Sequence, residues 1–309
     1  MRFISILKPG IIFGNIVTVC GGFFLGATHA SPEHSGFLSL LLLLIFTLVG
    51  MALIVGSGCV FNNIIDQDID ALMERTCKRV LVKGLISPKL AFLYGIFLGL
   101  VGFSLLYLTT NYWALGTAAI GWFFYVVIYS LYFKRRSGAG TLLGSISGAV
   151  PPVVGYLAVT NNFDWGAVVL FLILFLWQMP HFYAISIYRL KDFQAARIPV
   201  LPAVHSMLYT KITMLIYIIL YTLATLIPTF LGYAGYIYLS FSALLGIIWI
   251  VFAIQGFKIK SNNPNNPNNP NNPSNPETKI KNNKWAKKVF LFSIIDITLL
   301  CILMGVNLI

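Results

Sequence analysis

Asn62-Asn63-Ile64-Ile65-Asp66-Gln67-Asp68-Ile69-Asp70 ends an apolar run that begins at residue 37 and carries no charged side chain before Asp66. A helix that crosses a bilayer needs about 20 apolar residues, so this run spans the membrane and brings its polar end out at one face. Asn62, Asp66 and Asp70 recur every four residues; at ~3.6 residues per turn they share one helix face, successive members about 40° apart. Asp68 points to the opposite side. With Glu74 just beyond, these carboxylates repel one another and are costly beside hydrocarbon unless cations neutralise them. Asp and Asn oxygens are hard ligands suited to Mg²⁺, which commonly keeps substrate phosphates in its shell. Asn62, Asp66 and Asp70 are the expected metal ligands and catalytic residues.

Working outward, further apolar runs lie at about 10–28, 90–110, 113–133, 141–160, 166–188, 210–232, 236–257 and 289–308. Of the 309 residues 58% are hydrophobic and 10% charged, against about 25% charged in soluble domains. Nine carboxylates cannot solvate a globular surface of this size, which excludes soluble enzymes. The expected fold is an all-α polytopic membrane protein of nine spans in a lipid bilayer. Arg2 and Lys8 before the first run and Thr28-His29-Ala30 after it outline a signal peptide. The run exceeds the usual ~7–15 apolar residues, however, and reads as a retained span. Cys20, Cys59, Cys77 and Cys301 have no metal or redox spacing and read as small apolar fillers.

All 21 Lys and Arg fall in the N-terminus or in the segments following spans 2, 4, 6 and 8. The alternate segments, with His29, Glu33, His34, Asn111 and Asp164, hold none. By the positive-inside rule the basic segments are cytoplasmic, which puts the N-terminus inside, the C-terminus in the periplasm and the acidic ridge on the cytoplasmic face. The net charge of +12 thus reflects topology, and nucleic acid has no place as a partner. Residues 262–276 repeat Asn-Asn-Pro and then Ser-Asn-Pro. Proline at every third residue forbids helix or sheet, so this tract is expected to be a disordered cytoplasmic linker between spans 8 and 9 of a single domain, 1–309.

Cations follow the ridge: Arg75, Lys78, Arg79 and Lys83. Metal-binding carboxylates followed by cations suit a diphosphate, the metal taking some oxygens and Arg and Lys the rest; a solvated helix end with ordinary basic residues is the bland alternative. The loop after span 6 offers Arg189, Lys191, Asp192 and Arg197 on the same face, with Asp192 placed to complete a metal shell and the cations to hold phosphate. Trp177-Gln178-Met179-Pro180-His181 is expected to break span 6 near its cytoplasmic end. Its polar side chains are costly in lipid and should face the bundle interior. Pro151-Pro152 with Gly144, Gly148 and Gly155 suggest close packing in span 5. Asp296 in span 9 has no evident partner.

Asn62-x₃-Asp66-x₃-Asp70 resembles the first aspartate-rich motif of the UbiA-type intramembrane prenyltransferases, nine-helix enzymes with a cytoplasmic-face active site that act on polyprenyl diphosphates. Residues 56–63 and 79–88, Tyr132-Phe133-Lys134-Arg135, Gly140-Thr141-Leu142, Gly148-Ala149-Val150-Pro151-Pro152, Trp177-Gln178-Met179-Pro180-His181 and Ile198-Pro199-Val200-Leu201-Pro202 are similar to the haem-farnesylating branch. Quinone-type members carry a second Asp-x₃-Asp after span 6, whereas here Asp192 is followed four residues later by Ala196.

The resemblance implies transfer of farnesyl from farnesyl diphosphate to a vinyl group of haem B, with addition of water, to give haem O. It also implies Mg²⁺ as cofactor and haem B as substrate. The expected setting is the bacterial inner membrane, with a terminal oxidase or haem A synthase as downstream partner. Trp177, Gln178 and His181 become the expected haem contacts. Two rivals remain open at this point. A quinone or chlorophyll acceptor is disfavoured by the single aspartate after span 6. A transporter or haem carrier is disfavoured because the acidic cluster lies at a membrane face and the chain has no internal repeat.

Overall fold

The structure, a computed structural model, describes residues 2–28, 36–259 and 276–306. Residues 262–275 of the Asn/Pro tract, and His29, Glu33 and His34, lie outside the described residues. Among the described residues every regular element is helical. A short α1 (Arg2–Ile6) leads into α2 (Pro9–Ala27), followed by α3 (Phe37–Ile65), α4 (Gln67–Leu72) and α5 (Pro88–Thr109). Then come α6 (Tyr112–Phe123), α7 (Gly140–Thr160), α8 (Trp165–Tyr188), α9 (Leu190–Ala195) and α10 (Leu201–Val204). The chain ends with α11 (Met207–Phe230), α12 (Tyr236–Gln255) and α13 (Pro276–Val306). Among the described residues nine helical stretches, with α6 continuing to Phe133, are long and apolar enough to cross a membrane, and the chain is a multi-pass membrane protein.

Helix starts follow local chemistry. Ser87, Asn111, Asp164 and Ser206 accept backbone N–H bonds from Leu90, Ala114, Gly166 and Tyr209 and so cap α5, α6, α8 and α11. Two glycines let α2 and α7 cross at backbone contact. A Cβ on Gly22 would stand 1.8 Å from the Pro152 carbonyl oxygen, and one on Gly155 would stand 2.1 Å from that of Val19. Such close crossings are the usual means of packing helices in lipid.

Four features differ from the sequence expectation. The helix that carries the ridge is interrupted at Asp66 (φ −91°, ψ 4°), where α3 hands over to α4. Backbone bonds from Asp66 N to Asn62 O (2.9 Å) and from Asp70 N to Asp66 O (2.8 Å) keep the three residues in helical succession across that break. Pro180 does not break span 6: α8 runs through it, as α7 runs through Pro151 and Pro152. Proline forfeits one N–H, and neighbouring helices support the rest of the helix. Span 4 continues from α6 as a π-helix over Phe124–Phe133, a wide form that apolar periodicity does not reveal. The last helix starts at Pro276, well before the apolar run, because its polar first turns are helical too and Glu277 pairs with Lys281 at 2.6 Å, i to i+4.

Candidate active site

The ridge lies where α3 meets α4, at the basic end of the bundle. Asn62, Asp66 and Asp70 are 3%, 0% and 1% exposed, which for charged groups requires partners. Each meets a cation from a different segment. Lys8, the residue before α2, donates to Asn62 Oδ1; Lys134, capping the π-helix, pairs with Asp66 Oδ2; Arg79 pairs with Asp70 Oδ2. Asn62 Nδ2 also donates to Ser130 Oγ at 3.0 Å, and Ser130 donates to the Tyr125 carbonyl at 2.8 Å. The π-helical stretch is thereby tied to the ridge. Asp68 points away, 67% exposed at its side chain, and holds Arg135 through two 2.7 Å bonds. Asp68 and Arg135 help line a separate depression of about 570 Å³, together with Gln67 and Val82.

Burial pulls the Lys8 ammonium down to about 8, with Arg79 and Lys134 adding repulsion and Cys59 and Asp66 opposing the shift. Hydrogen bonding to Arg135 lowers the Asp68 carboxyl, and the same contact raises the guanidinium. Arg75 is exposed and lies within electrostatic reach of Arg79, Asp70, Arg189 and Asp192. Lys78 and Lys83 are exposed in the turns beyond it.

The loop after span 6 meets the loop after span 2 through a small apolar core of Ile69, Met73, Ala196, Ile198 and Val200. Asp192 accepts a 3.0 Å bond from the Glu74 backbone N–H and lies 4.0 Å from Arg189. It therefore joins the two loops. Among the described residues no three His, Cys, Asp or Glu side chains form a group that could hold a metal ion, and the described side-chain contacts of Asp192 are with Glu74 and Arg189. Arg189 stacks over Tyr188 at 5.5 Å, Lys191 is exposed, and Arg197 is exposed with a positive φ of 52° just after α9.

A divalent cation fits the ridge. Asp66 Oδ1 is buried without a hydrogen-bond donor, Arg135 Nη2 standing 3.8 Å from it, and the ridge's two carboxylates and amide oxygen are all hard oxygens. The expected haem contacts diverge. Gln178 turns to α7, donating to Ser145 O at 3.1 Å, while Trp177 and His181 turn to α13, where both meet Ser293. Asp296 does have a partner: Tyr221 Oη donates to it at 2.6 Å. Sequence reasoning did not assign Lys8, Lys134 and Ser130 to the site. Lys8 and Lys134 each stand at the basic end of a span, the one signal available.

Nine apolar helices around a buried Asn/Asp/Asp ridge define an intramembrane prenyltransferase architecture. The chain belongs to the UbiA prenyltransferase family, whose profile matches residues 15–268. It is 54% identical over 220 residues to the protoheme IX farnesyltransferase of Cronobacter sakazakii, covering 71% of this chain and 72% of that one. The protoheme IX farnesyltransferase of Sodalis glossinidius is 54% identical over 218 residues, covering 71% of each chain. In fold the chain is similar to a digeranylgeranylglyceryl phosphate synthase (TM-score 0.69, 19% identity, 97% and 98% of the two chains). It is also similar to a UbiA homolog from Archaeoglobus fulgidus bound to GPP and Mg²⁺ (TM-score 0.60, 14% identity, 96% and 99%).

Proposed function

We propose that this protein transfers the farnesyl group of farnesyl diphosphate to a vinyl group of haem B, with addition of water, giving haem O. The observation that carries the proposal is the burial of Asn62, Asp66 and Asp70 against Lys8, Lys134 and Arg79, in a chain whose 54%-identical relatives are named for this reaction. Diphosphate leaves poorly until its negative charge is neutralised. Asn62, Asp66 and Asp70 would hold Mg²⁺, which supplies Lewis-acid stabilisation of the departing oxygens. With diphosphate bound, Arg75, Arg79, Lys8 and Lys134 contribute charge-assisted hydrogen bonds to its oxygens. Lys78, Lys83, Arg189, Lys191 and Arg197 form the outer basic rim.

The farnesyl C1–O bond breaks with its electron pair leaving on diphosphate. The vinyl π electrons then form the new C–C bond, water adds to the resulting cation beside the porphyrin, and one proton is lost. Aromatic and apolar walls limit early attack of water on the allylic cation. The half-buried Tyr125–Tyr129 stack, centroids 6.1 Å apart beside the ridge, supplies part of such a wall. The proposed setting is the bacterial cytoplasmic membrane, N-terminus inside and C-terminus in the periplasm, with haem A synthase or a terminal oxidase downstream. Incubating the purified protein with haem B, farnesyl diphosphate and Mg²⁺ tests the reaction. Mass spectrometry should find a hydroxyethylfarnesyl haem, and unchanged haem B in a folded preparation would refute the proposal.

A further inference from the structure

Asn63 follows Asn62 directly, so it stands about 100° around the helix from the ridge. It is 4% exposed, and its Nδ2 donates to the Ile6 carbonyl at 2.7 Å. Ile6 closes the short α1, whose last carbonyls lack intrahelical partners, so the Asn63 amide caps that helix from α3. Asn63 Oδ1 is buried and has no hydrogen-bond partner among the described residues. A leucine of nearly the same shape would avoid that desolvation cost. Packing alone therefore does not account for an amide at this position, whereas the bond to Ile6 does.

Two residues after Ile6 the backbone takes an unfavourable turn. Lys8 has φ 54° and ψ 69°, in the left-handed region, which residues with a Cβ seldom adopt. It also precedes Pro9, whose ring biases the residue before it toward extended backbone. Such a conformation persists only where the surrounding contacts over-determine it. Before the turn, Ile6 and Leu7 sit in an apolar cluster with Val60, Leu81 and Ile86. After it, the Lys8 carbonyl accepts from the backbone N–H groups of Ile11 and Ile12 at 2.8 and 3.3 Å, starting α2. From the turn the lysine reaches α3, where its ammonium donates to Asn62 Oδ1 within electrostatic reach of Asp66, Arg79 and Lys134. The tandem asparagines thus grip one junction twice, Asn63 by a backbone carbonyl and Asn62 by the Lys8 ammonium.

We infer that Asn63 is a positioning residue for Lys8: by holding the Ile6 carbonyl it keeps the left-handed turn that places the Lys8 ammonium at the ridge, where the diphosphate is bound. The inference rests on the proposed use of farnesyl diphosphate and not on the identity of the acceptor. Asn63 itself touches no reacting atom. Without its bond the Lys8 backbone relaxes to negative φ, which swings the Cβ and releases a long, flexible side chain toward solvent.

The test is a double-mutant cycle, read by titration calorimetry of the full chain in detergent with farnesyl diphosphate and Mg²⁺. No haem is added, so turnover does not intervene. Lys8→Met keeps the stem and removes the charge; it should weaken binding about ten- to a hundred-fold, the scale of a lost charge-assisted bond. Asn63→Leu should weaken it about ten-fold, and Asn63→Gln, which keeps an amide donor, should recover most of that loss. Added to Lys8→Met, Asn63→Leu should weaken binding by at most about two-fold more, since no ammonium is left to place, whereas a purely structural role would multiply in full. Asn63→Ala makes the same comparison should Asn63→Leu not fold. In turnover assays Asn63→Leu should raise the KM for farnesyl diphosphate and leave the KM for haem unchanged. Losses that multiply in the double variant overturn the inference, as does wild-type affinity in Asn63→Leu, and in both cases farnesyl diphosphate as substrate stands. A folded wild type that binds no farnesyl diphosphate removes both.

Discussion

Lys134, at the end of the π-helical stretch of span 4, closes on Oδ2 of Asp66, the residue at which span 2 breaks, 68 positions earlier in the chain. The pairing gives each oxygen-bearing residue of the ridge its own cation: Lys8 for Asn62, Lys134 for Asp66, Arg79 for Asp70. Buried charges at this density are tolerated only when paired, and removing one partner of such a pair costs about 3–5 kcal/mol. The same cations are close enough to serve an anion delivered beside the carboxylates. Substitutions at the ridge therefore need shape-preserving variants if catalysis and folding are to be read separately.

Asp66→Asn and Asp70→Asn should each lower turnover by at least about 100-fold, the scale of losing a preorganised electrostatic contact in a transition state. EDTA should abolish wild-type turnover. Asp68→Ala should stay within about two-fold, since its exposed pair with Arg135 is worth ~0–1 kcal/mol. Product formation at low and high Mg²⁺, normalised to folded protein, decides the matter. Wild-type rates for Asp66→Asn at low Mg²⁺ would remove this ridge as the metal site.

Arg75 and Arg79 should behave differently although both follow the ridge. Arg75 is exposed and makes no ion pair within 4.0 Å among the described residues, so Arg75→Ala should weaken farnesyl diphosphate binding with little change in stability. A lost charge-assisted bond costs roughly 1.5–3 kcal/mol, about ten- to a hundred-fold in affinity. Arg79→Ala should weaken binding similarly and also lower the unfolding temperature, because it strands the buried Asp70 carboxylate. Titration calorimetry beside thermal unfolding in detergent separates the two effects. Equal stability losses for both variants would contradict this assignment.

The spans and the ridge were legible in the sequence because both rest on local regularities: apolar length, four-residue spacing and the one-sided placement of Lys and Arg. The partners were not. Lys8 and Asn62 lie 54 positions apart and Glu74 and Asp192 lie 118 apart, and no local pattern announces which basic residue of a cytoplasmic loop turns inward. Gln178 and His181 were rightly read as too polar for lipid. At ~3.6 residues per turn the two positions, three apart, lie about 60° from one another, enough for α7 to receive Gln178 and α13 to receive His181. Asp296 lacked an evident partner because Tyr221 belongs to another span.

Gly22→Ala should destabilise the protein far from the ridge. The added Cβ would meet a backbone carbonyl, that of Pro152, at 1.8 Å, and backbone cannot yield as a flexible side-chain tip can. Overpacking of this kind costs about 1–3 kcal/mol. Gly14→Ala, in the same helix with nothing within 4 Å of the new atom, should be neutral or stabilising by up to ~1 kcal/mol because alanine is the better helix former. Unfolding midpoints of the two variants should move in opposite directions, and parallel shifts would show that the α2–α7 crossing is looser than described.

Removing the Asn/Pro tract should leave the enzyme intact. Its two flanks are secured without it. Lys211, 4% exposed, donates to the Gly256 carbonyl at 2.8 Å and lies 5.4 Å from the Trp285 ring, while Trp285 Nε1 donates to Phe252 O at 2.8 Å. These contacts tie the end of α12 to α13 within the membrane protein's own core. Deleting residues 262–273 leaves four residues between Ile259 and Pro276, within the ~2–8 that join neighbouring helices in bundles. The deletion variant should reach normal membrane levels and keep its turnover within about two-fold. Lys211→Met should instead lower the unfolding temperature, since it leaves a buried carbonyl without its donor at a cost of ~1–3 kcal/mol. Membrane quantification and product assays on both variants provide the check. Activity lost from a well-inserted deletion variant would show that the tract does more than connect spans 8 and 9.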